Sequence, residues 1–146
     1  MVDVSAKPVT VREATASSLV RMRPEVLDAL MAQTLPKGDA LATARIAGIH
    51  AAKRTDEWIP LCHSLPLDQV TLSFEKSGPG ELSITCTAKA TARTGVEMEA
   101  LTGAAAASLT IYDMAKSADK TIRIGPIQLE RKSGGRSGDF VRSTDT

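Results

Sequence analysis

This chain must build a core almost without aromatic rings. Trp58, Phe74, Tyr112 and Phe140 are the only aromatics among 146 residues, so burial falls to Ala, Val, Ile and Leu. The same scarcity leaves no platform on which bases can stack, and it sets aside a sheet that reads single-stranded RNA. At this length one domain is expected, large enough to bury a proper core. With 42% hydrophobic and 24% charged residues, that domain is globular rather than disordered.

Charge narrows the function classes. Eighteen basic and 17 acidic side chains leave a net charge of +1, against the larger basic excess of a general nucleic-acid binder. Any anion site must come from a local gathering of Lys and Arg. Cys62 and Cys86 form no CxxC pair, so neither a disulfide framework nor a zinc knuckle is indicated, and no iron–sulfur ligand set is present. There is no apolar run of membrane-spanning length and no signal-peptide pattern over Met1–Val11, which makes the cytoplasm the expected compartment, with no membrane partner.

The clearest local signal is a hairpin. Val70, Leu72 and Phe74 alternate, Ser77-Gly78-Pro79-Gly80 turns the chain, and Leu82, Ile84, Cys86 and Ala88 alternate again. Upstream, Val9–Val11 and Leu19–Met22 read as extended pieces broken by small polar residues. Pro24-Glu25 opens a short helix whose Val26, Leu27, Leu30 and Met31 share a face. After a turn at Pro36-Lys37-Gly38, Asp39 is suited to cap a second helix reaching about Arg54. Asp56 to Leu67 reads as an irregular loop. A long helix follows from about Glu97 to Ser117. Ile122, Ile124 and Leu129 supply a last strand that Gly125-Pro126 interrupts, and residues 133–146 read as a mobile Gly/Ser-rich tail. Strand, helix pair, hairpin, helix, strand is a βαββαβ-like order, an α+β sandwich with helices on one face of a mainly antiparallel sheet.

Four stretches can carry chemistry. Ile59-Pro60-Leu61-Cys62-His63-Ser64-Leu65-Pro66 holds a histidine between two prolines, a restricted backbone that suits either a ligand contact or a satisfied loop histidine. In Thr94-Gly95-Val96-Glu97-Met98-Glu99, two carboxylates stand in a first helical turn. The helix dipole alone favours them there, and a carboxylate also accepts two parallel N–H bonds from a guanine or pterin edge. In Tyr112-Asp113-Met114-Ala115-Lys116, Asp113 and Lys116 share a helix face, as a solvated ion pair or as a general acid/base couple. The stretch from Leu129 to Gly138 offers glycines with Lys132 and Arg136 to a phosphate, or is simply a tail, and it holds no GxxxxGK phosphate loop.

Helix geometry adds a constraint on these groups. Fourteen residues separate Glu99 from Asp113, roughly 21 Å at ~1.5 Å per residue. Two such groups do not reach one small substrate within one chain, so a shared site would be built across a subunit interface. The run Gly103-Ala104-Ala105-Ala106-Ala107-Ser108 between them permits close packing of that helix, as would a buried core face.

Together with Met1-Val2-Asp3-Val4-Ser5, Lys37-Gly38-Asp39, Ala44-Arg45-Ile46-Ala47-Gly48-Ile49 and Ala51-Ala52-Lys53-Arg54-Thr55, the four stretches resemble the MoaC family of cyclic pyranopterin monophosphate synthases over nearly the whole chain. The resemblance implies a ferredoxin-like sandwich and a homohexamer built as a trimer of dimers, with active sites at dimer interfaces. It implies a lyase of molybdenum cofactor biosynthesis that converts 3′,8-cyclo-7,8-dihydro-GTP, supplied by a radical-SAM enzyme, to cyclic pyranopterin monophosphate and pyrophosphate. Carried over by position, Asp113 and Lys116 match the catalytic pair, and Leu61, Cys62, His63, Met98 and Glu99 match substrate-binding segments. Glu97, Lys37, Lys53, Lys132, Arg12 and Asp3 match polar positions around the ligand. No cofactor or metal ligand is identified, though magnesium accompanying the triphosphate stays open.

Two departures stand out. Ser64 follows His63 where the family has proline, which removes a backbone restraint, and the chain starts at Met-Val-Asp-Val without the short extension often found before it. A triphosphate needs converging cations, for which Lys37, Lys53, Lys116 and Lys132 are candidates. Rebuilding a purine into a pterin is acid/base work rather than redox. A nucleotide-sensing module on the same fold is the competing reading, and it would not need the Asp113–Lys116 pair for turnover.

Overall fold

The computed structural model describes residues 1–143. Its elements in chain order are β1 (Thr10–Arg21), α1 (Pro24–Met31), α2 (Ala40–Lys53), the single-turn α3 (Thr55–Trp58), β2 (Gln69–Gly78), β3 (Glu81–Ala92), α4 (Glu97–Ala115), β4 (Arg123–Ser133) and β5 (Phe140–Val141). The strands form one sheet in the order β2-β3-β1-β4-β5 with every pair antiparallel. α4 lies against β1, β3 and β4, and α2 packs on α4 and β2. This is the expected α+β, ferredoxin-like arrangement, with the helices on one face.

Local chemistry explains the elements. Pro24 opens α1, which buries Val26, Leu27 and Leu30 while Met31 stays exposed. Asp39 caps α2 by accepting a 3.0 Å hydrogen bond from the Ala42 amide. Alternate residues of β3, from Leu82 through Ile84, Cys86, Ala88 and Ala90, are fully buried beneath the helices. α4 meets them with Ala100, Ala104, Ala107 and Ile111. Where α2 crosses α4 the contact is glycine on glycine. A Cβ on Gly103 would stand 2.6 Å from Cys86 Sγ, and one on Gly48 would stand 2.5 Å from a Leu72 methyl and 2.9 Å from the Gly103 carbonyl oxygen. Alanine at either position should cost about 1–3 kcal/mol of overpacking. The small-residue run thus serves the core and holds α4 close to the sheet.

The structure corrects four details of the sequence reading. Val9–Val11 and Leu19–Met22 are not separate extended pieces, because β1 is one 12-residue strand through the small polar residues between them. Ser18 is buried there, but its hydroxyl accepts a 2.7 Å bond from Ser108 on α4, and Thr15 pairs with Thr87 at 2.9 Å. Hydroxyls satisfied this way are compatible with a sheet interior. The stretch expected as an irregular loop contains α3. β4 runs continuously past Gly125-Pro126, and the irregularity appears as a register shift opposite Ser18–Val20. The expected tail folds back over part of its length, since Phe140 and Val141 pair with Lys132 and Arg131. Residues 144–146 of that stretch lie outside the described residues.

Candidate active site

The N-terminal end of α4 forms the floor of a cleft of about 500 Å³. Leu61, Cys62 and His63 come from the loop after α3, Glu97 and Met98 from the first turn of α4, and Val2, Val4 and Lys7 from the N-terminal segment. That segment is held by its own turn: the Asp3 carboxylate accepts from the Ser5 amide at 2.8 Å, which also lowers its pKa, and the Lys7 amide bonds the Val4 carbonyl. Nε2 of His63 stands 2.7 Å from the Val2 carbonyl oxygen. A carbonyl only accepts, so Nε2 is the donor of this bond. The Ser64 hydroxyl donates to the Asp56 carboxylate on α3, which tethers the loop by a side chain.

Glu99 is the unusual group of this end. It is 2% exposed, its Oε1 lies 3.9 Å from Cys62 Sγ, and its Oε2 is buried without a partner among the described residues. Loss of water pushes its carboxyl up to about 7, and the neighbouring Glu97 and Asp56 carboxylates add to the rise. Burial, followed by the charges of Glu99 and Asp56, also raises the Cys62 thiol, which makes Cys62 a neutral neighbour rather than a nucleophile. A buried acid with a free acceptor is poised for a ligand edge that brings N–H donors. Glu97 lies over Gly95, where a Cβ would stand 1.9 Å from its Oε2, and pairs with Lys132 at 3.1 Å.

The C-terminal end of α4 is built differently. Lys116 Nζ lies 2.8 Å from Asp113 Oδ1, and Lys37 Nζ lies 2.7 Å from Oδ2 and 3.1 Å from the Asp113 carbonyl oxygen. Lys37 reaches there from the turn before α2, which Gly38 closes at φ +98, a conformation that favours glycine. Hydrogen bonds from Lys116 and then Lys37 hold the Asp113 carboxyl down at about 2, and Asp113 in turn raises Lys116. All three side chains are well exposed. Exposed pairs add little to stability, so the cluster is not explained by folding.

α4 is continuous between these groups. Glu99 and Asp113 therefore stand roughly 21 Å apart along its axis. The chain brings Leu61, Cys62, His63, Glu97, Met98 and Glu99 to one end, with Lys132 beside Glu97, and gathers Lys37, Asp113 and Lys116 at the other. Arg12 lies in a second cleft next to the first, Asp3 sits in the turn that orders Val2 and Val4, and the exposed Lys53 lines neither cleft. Sequence reasoning missed Lys7, which lines both clefts, and Asp56, which ties down the loop and faces Glu99. A lone lysine in a coil segment and one acid among several carry no periodic signal. No group of three or more His, Cys, Asp or Glu side chains placed to hold a metal occurs among the described residues. No helix among them is long and apolar enough to cross a membrane.

Comparison with known proteins adds a second line of argument. The profile of the MoaC family matches residues 1–135. A protein of Mycobacterium tuberculosis named cyclic pyranopterin monophosphate synthase 3 is 56% identical over 142 residues, spanning 97% of this chain and 80% of the relative. Cyclic pyranopterin monophosphate synthases of Roseiflexus sp. and Brevibacillus brevis are 56% and 51% identical, each over 97% of this chain, and the matches span 90% and 89% of those proteins.

Proposed function

This chain belongs to the MoaC family, and we propose that it works as a cyclic pyranopterin monophosphate synthase of molybdenum cofactor biosynthesis. In this reading it is a cytoplasmic lyase that turns 3′,8-cyclo-7,8-dihydro-GTP, delivered by a radical-SAM enzyme, into cyclic pyranopterin monophosphate and pyrophosphate. The observation that carries the reading is the buried Oε2 of Glu99, without a partner among the described residues, in the same first turn of α4 whose Glu97 and Met98 line the cleft. A guanine-derived ring offers the adjacent N–H donors that such an acceptor needs, and Met98, Leu61 and Cys62 supply apolar contact for its faces.

The two ends of α4 then divide the work. Lys37 and Lys116 neutralise phosphate charge, and Asp113 moves a proton. While both lysines hydrogen-bond it, Asp113 is a weak base. Substrate phosphates that draw the ammonium groups away relieve those bonds and raise its basicity as the substrate arrives. Because the two ends are so far apart in one chain, the complete site joins the Glu99 end of one chain to the Asp113 end of another. That arrangement fits a homohexamer of three dimers. Magnesium, where it accompanies the triphosphate, would ride on the phosphate oxygens and add to the charge neutralisation by the lysines.

Incubating the pure protein with the cyclised GTP and measuring pterin and pyrophosphate tests the reading. Both products should appear in equal amounts. Tight binding of the cyclised GTP with no pyrophosphate released would favour the nucleotide-sensing module, which the exposed, distant Asp113 cluster would then serve only in binding.

A further inference from the structure

Asp119 is a buried carboxylate that the proposed chemistry leaves unused. It is 4% exposed and lies in the turn between α4 and β4, just beyond Lys116. Both of its oxygens are taken. Oδ2 accepts from the Arg23 amide at 2.9 Å, with Arg23 Nε at 3.8 Å. Oδ1 accepts from the Thr121 amide at 2.8 Å and the Thr121 hydroxyl at 2.6 Å. Those bonds, the Thr121 hydroxyl first and then the Arg23 amide, hold its carboxyl below the ordinary range. A buried charge is costly unless it is fully bonded, and the bonds made here reach backbone amides of two separate segments.

Both segments lead to the cluster of Lys37, Asp113 and Lys116. The turn that carries Asp119 is wound onto the last turn of α4. Its Ala118 and Asp119 amides bond the Ala115 carbonyl oxygen at 2.9 and 3.1 Å, and the Lys116 amide bonds that of Tyr112 at 2.8 Å. Arg23, in turn, is the residue from which α1 starts. Its carbonyl oxygen takes the Val26 and Leu27 amides at 3.0 and 3.2 Å, and its guanidinium donates to the Ala118 carbonyl oxygen. From there α1 runs to Lys37 without slack. Leu27 and Leu30 anchor it in the core, Thr34 bonds the Ala29 carbonyl oxygen through its amide and its hydroxyl, and Leu35 is buried. The cluster itself consists of exposed pairs, which are too weak to fix the backbones that carry them. Its order therefore comes from the segments behind it, and the Asp119 carboxylate ties those together.

We propose that Asp119 is a positioning residue for the Lys37–Asp113–Lys116 cluster, holding the start of α1 against the end of α4 so that both ammonium groups meet Asp113. A part for that cluster in turnover rests on the proposed function, whereas the positioning does not.

A side-chain NMR titration of Asp113 in the full chain tests the positioning without any turnover. Asp119→Ala removes both ties, and Asp119→Asn leaves one accepting oxygen where two are needed. The Asp113 carboxyl should rise from about 2 toward the usual carboxylate range in Asp119→Ala, with Asp119→Asn in between. Loss of a nearby negative charge would by itself lower Asp113, so a rise reports the lost geometry. Arg23→Ala and Thr121→Ala change exposed residues that bond the same turn, and each should give a smaller rise. Ser108→Ala, which removes a buried hydrogen bond in the middle of α4, should lower the melting temperature and leave Asp113 where it is. An unmoved Asp113 in the folded Asp119 variants, or in Arg23→Ala and Thr121→Ala where those do not fold, would overturn the proposal. So would an equal rise in Ser108→Ala. With the cyclised GTP, kcat of the Asp119 variants should fall about tenfold to a hundredfold, as misplacement of a reacting group does. A raised Asp113 with wild-type kcat would keep the positioning role and sink the catalytic reading of Asp113 instead.

Discussion

The two ends of α4 hold carboxylates whose surroundings push them in opposite directions. Glu99 is sealed from water with one oxygen unpartnered among the described residues, and its carboxyl rises to about 7. Asp113 stands in solvent between two ammonium groups that hold its carboxyl at about 2. Under the proposed function the first would accept from a ligand edge, and the second would become a useful base only when substrate draws away its lysines and its water. The same residue chemistry would then serve recognition at one end and proton transfer at the other, with environment making the difference.

The largest effect should come from the wet end. Asp113→Asn keeps the shape of the side chain and removes the basic oxygen. Turnover should fall about a hundredfold or more, while calorimetry shows the cyclised GTP still bound. Wild-type turnover in this variant would strip Asp113 of its catalytic role and leave the contrast without chemistry.

The dry end should answer in binding and in pH dependence. Glu99→Gln presents an amide where a carboxylate is needed, and affinity for the cyclised GTP should fall about tenfold to a hundredfold. Wild-type affinity should increase as pH rises through about 7, where Glu99 gives up its proton, and the variant should show no such increase. Stability runs the other way. The folded chain holds that proton more tightly than the unfolded chain, so Glu99 burdens the fold progressively as pH rises from its ordinary value near 4.5 through about 7. The melting temperature of wild type relative to Glu99→Gln should therefore decline over that window, by a few degrees for a chain of this size. A constant difference would mean that Glu99 titrates like an exposed acid and that the two ends are not distinct.

A smaller effect sharpens the account of Asp113. Lys37→Ala removes one of its two hydrogen bonds, and the Asp113 carboxyl should rise toward the usual carboxylate range in a side-chain NMR titration. Substrate binding should weaken several-fold, in the same direction as added salt weakens wild type. No movement of the Asp113 titration would show that Lys116 alone sets it.

Much of this was legible in the sequence, and the misses share a physical cause. The hairpin, the Asp39 cap and the long α4 follow from period and capping, which are local. The continuity of β1 does not, because Thr15 and Ser18 are made acceptable in a strand interior by Thr87 and Ser108, partners 72 and 90 residues away. Spacing along α4 is enough to separate Glu99 from Asp113. It gives no hint that Oε2 of Glu99 is without a partner among the described residues, since that depends on a loop distant in sequence. Lys37 was legible as a cation, but its grip on Asp113 depends on a turn that Gly38 makes possible.

The central claim is that the two ends of α4 complete one site only between chains, and subunit exchange tests it most directly. Glu99→Ala and Asp113→Ala chains, each inactive alone, are mixed under conditions that allow exchange and assayed for pyrophosphate release from the cyclised GTP. The account predicts that activity returns in the mixture, because some interfaces then join an intact Glu99 end to an intact Asp113 end. A mixture as inactive as its parents, with exchange verified by mass, or a wild-type chain fully active as a monomer, would contradict it.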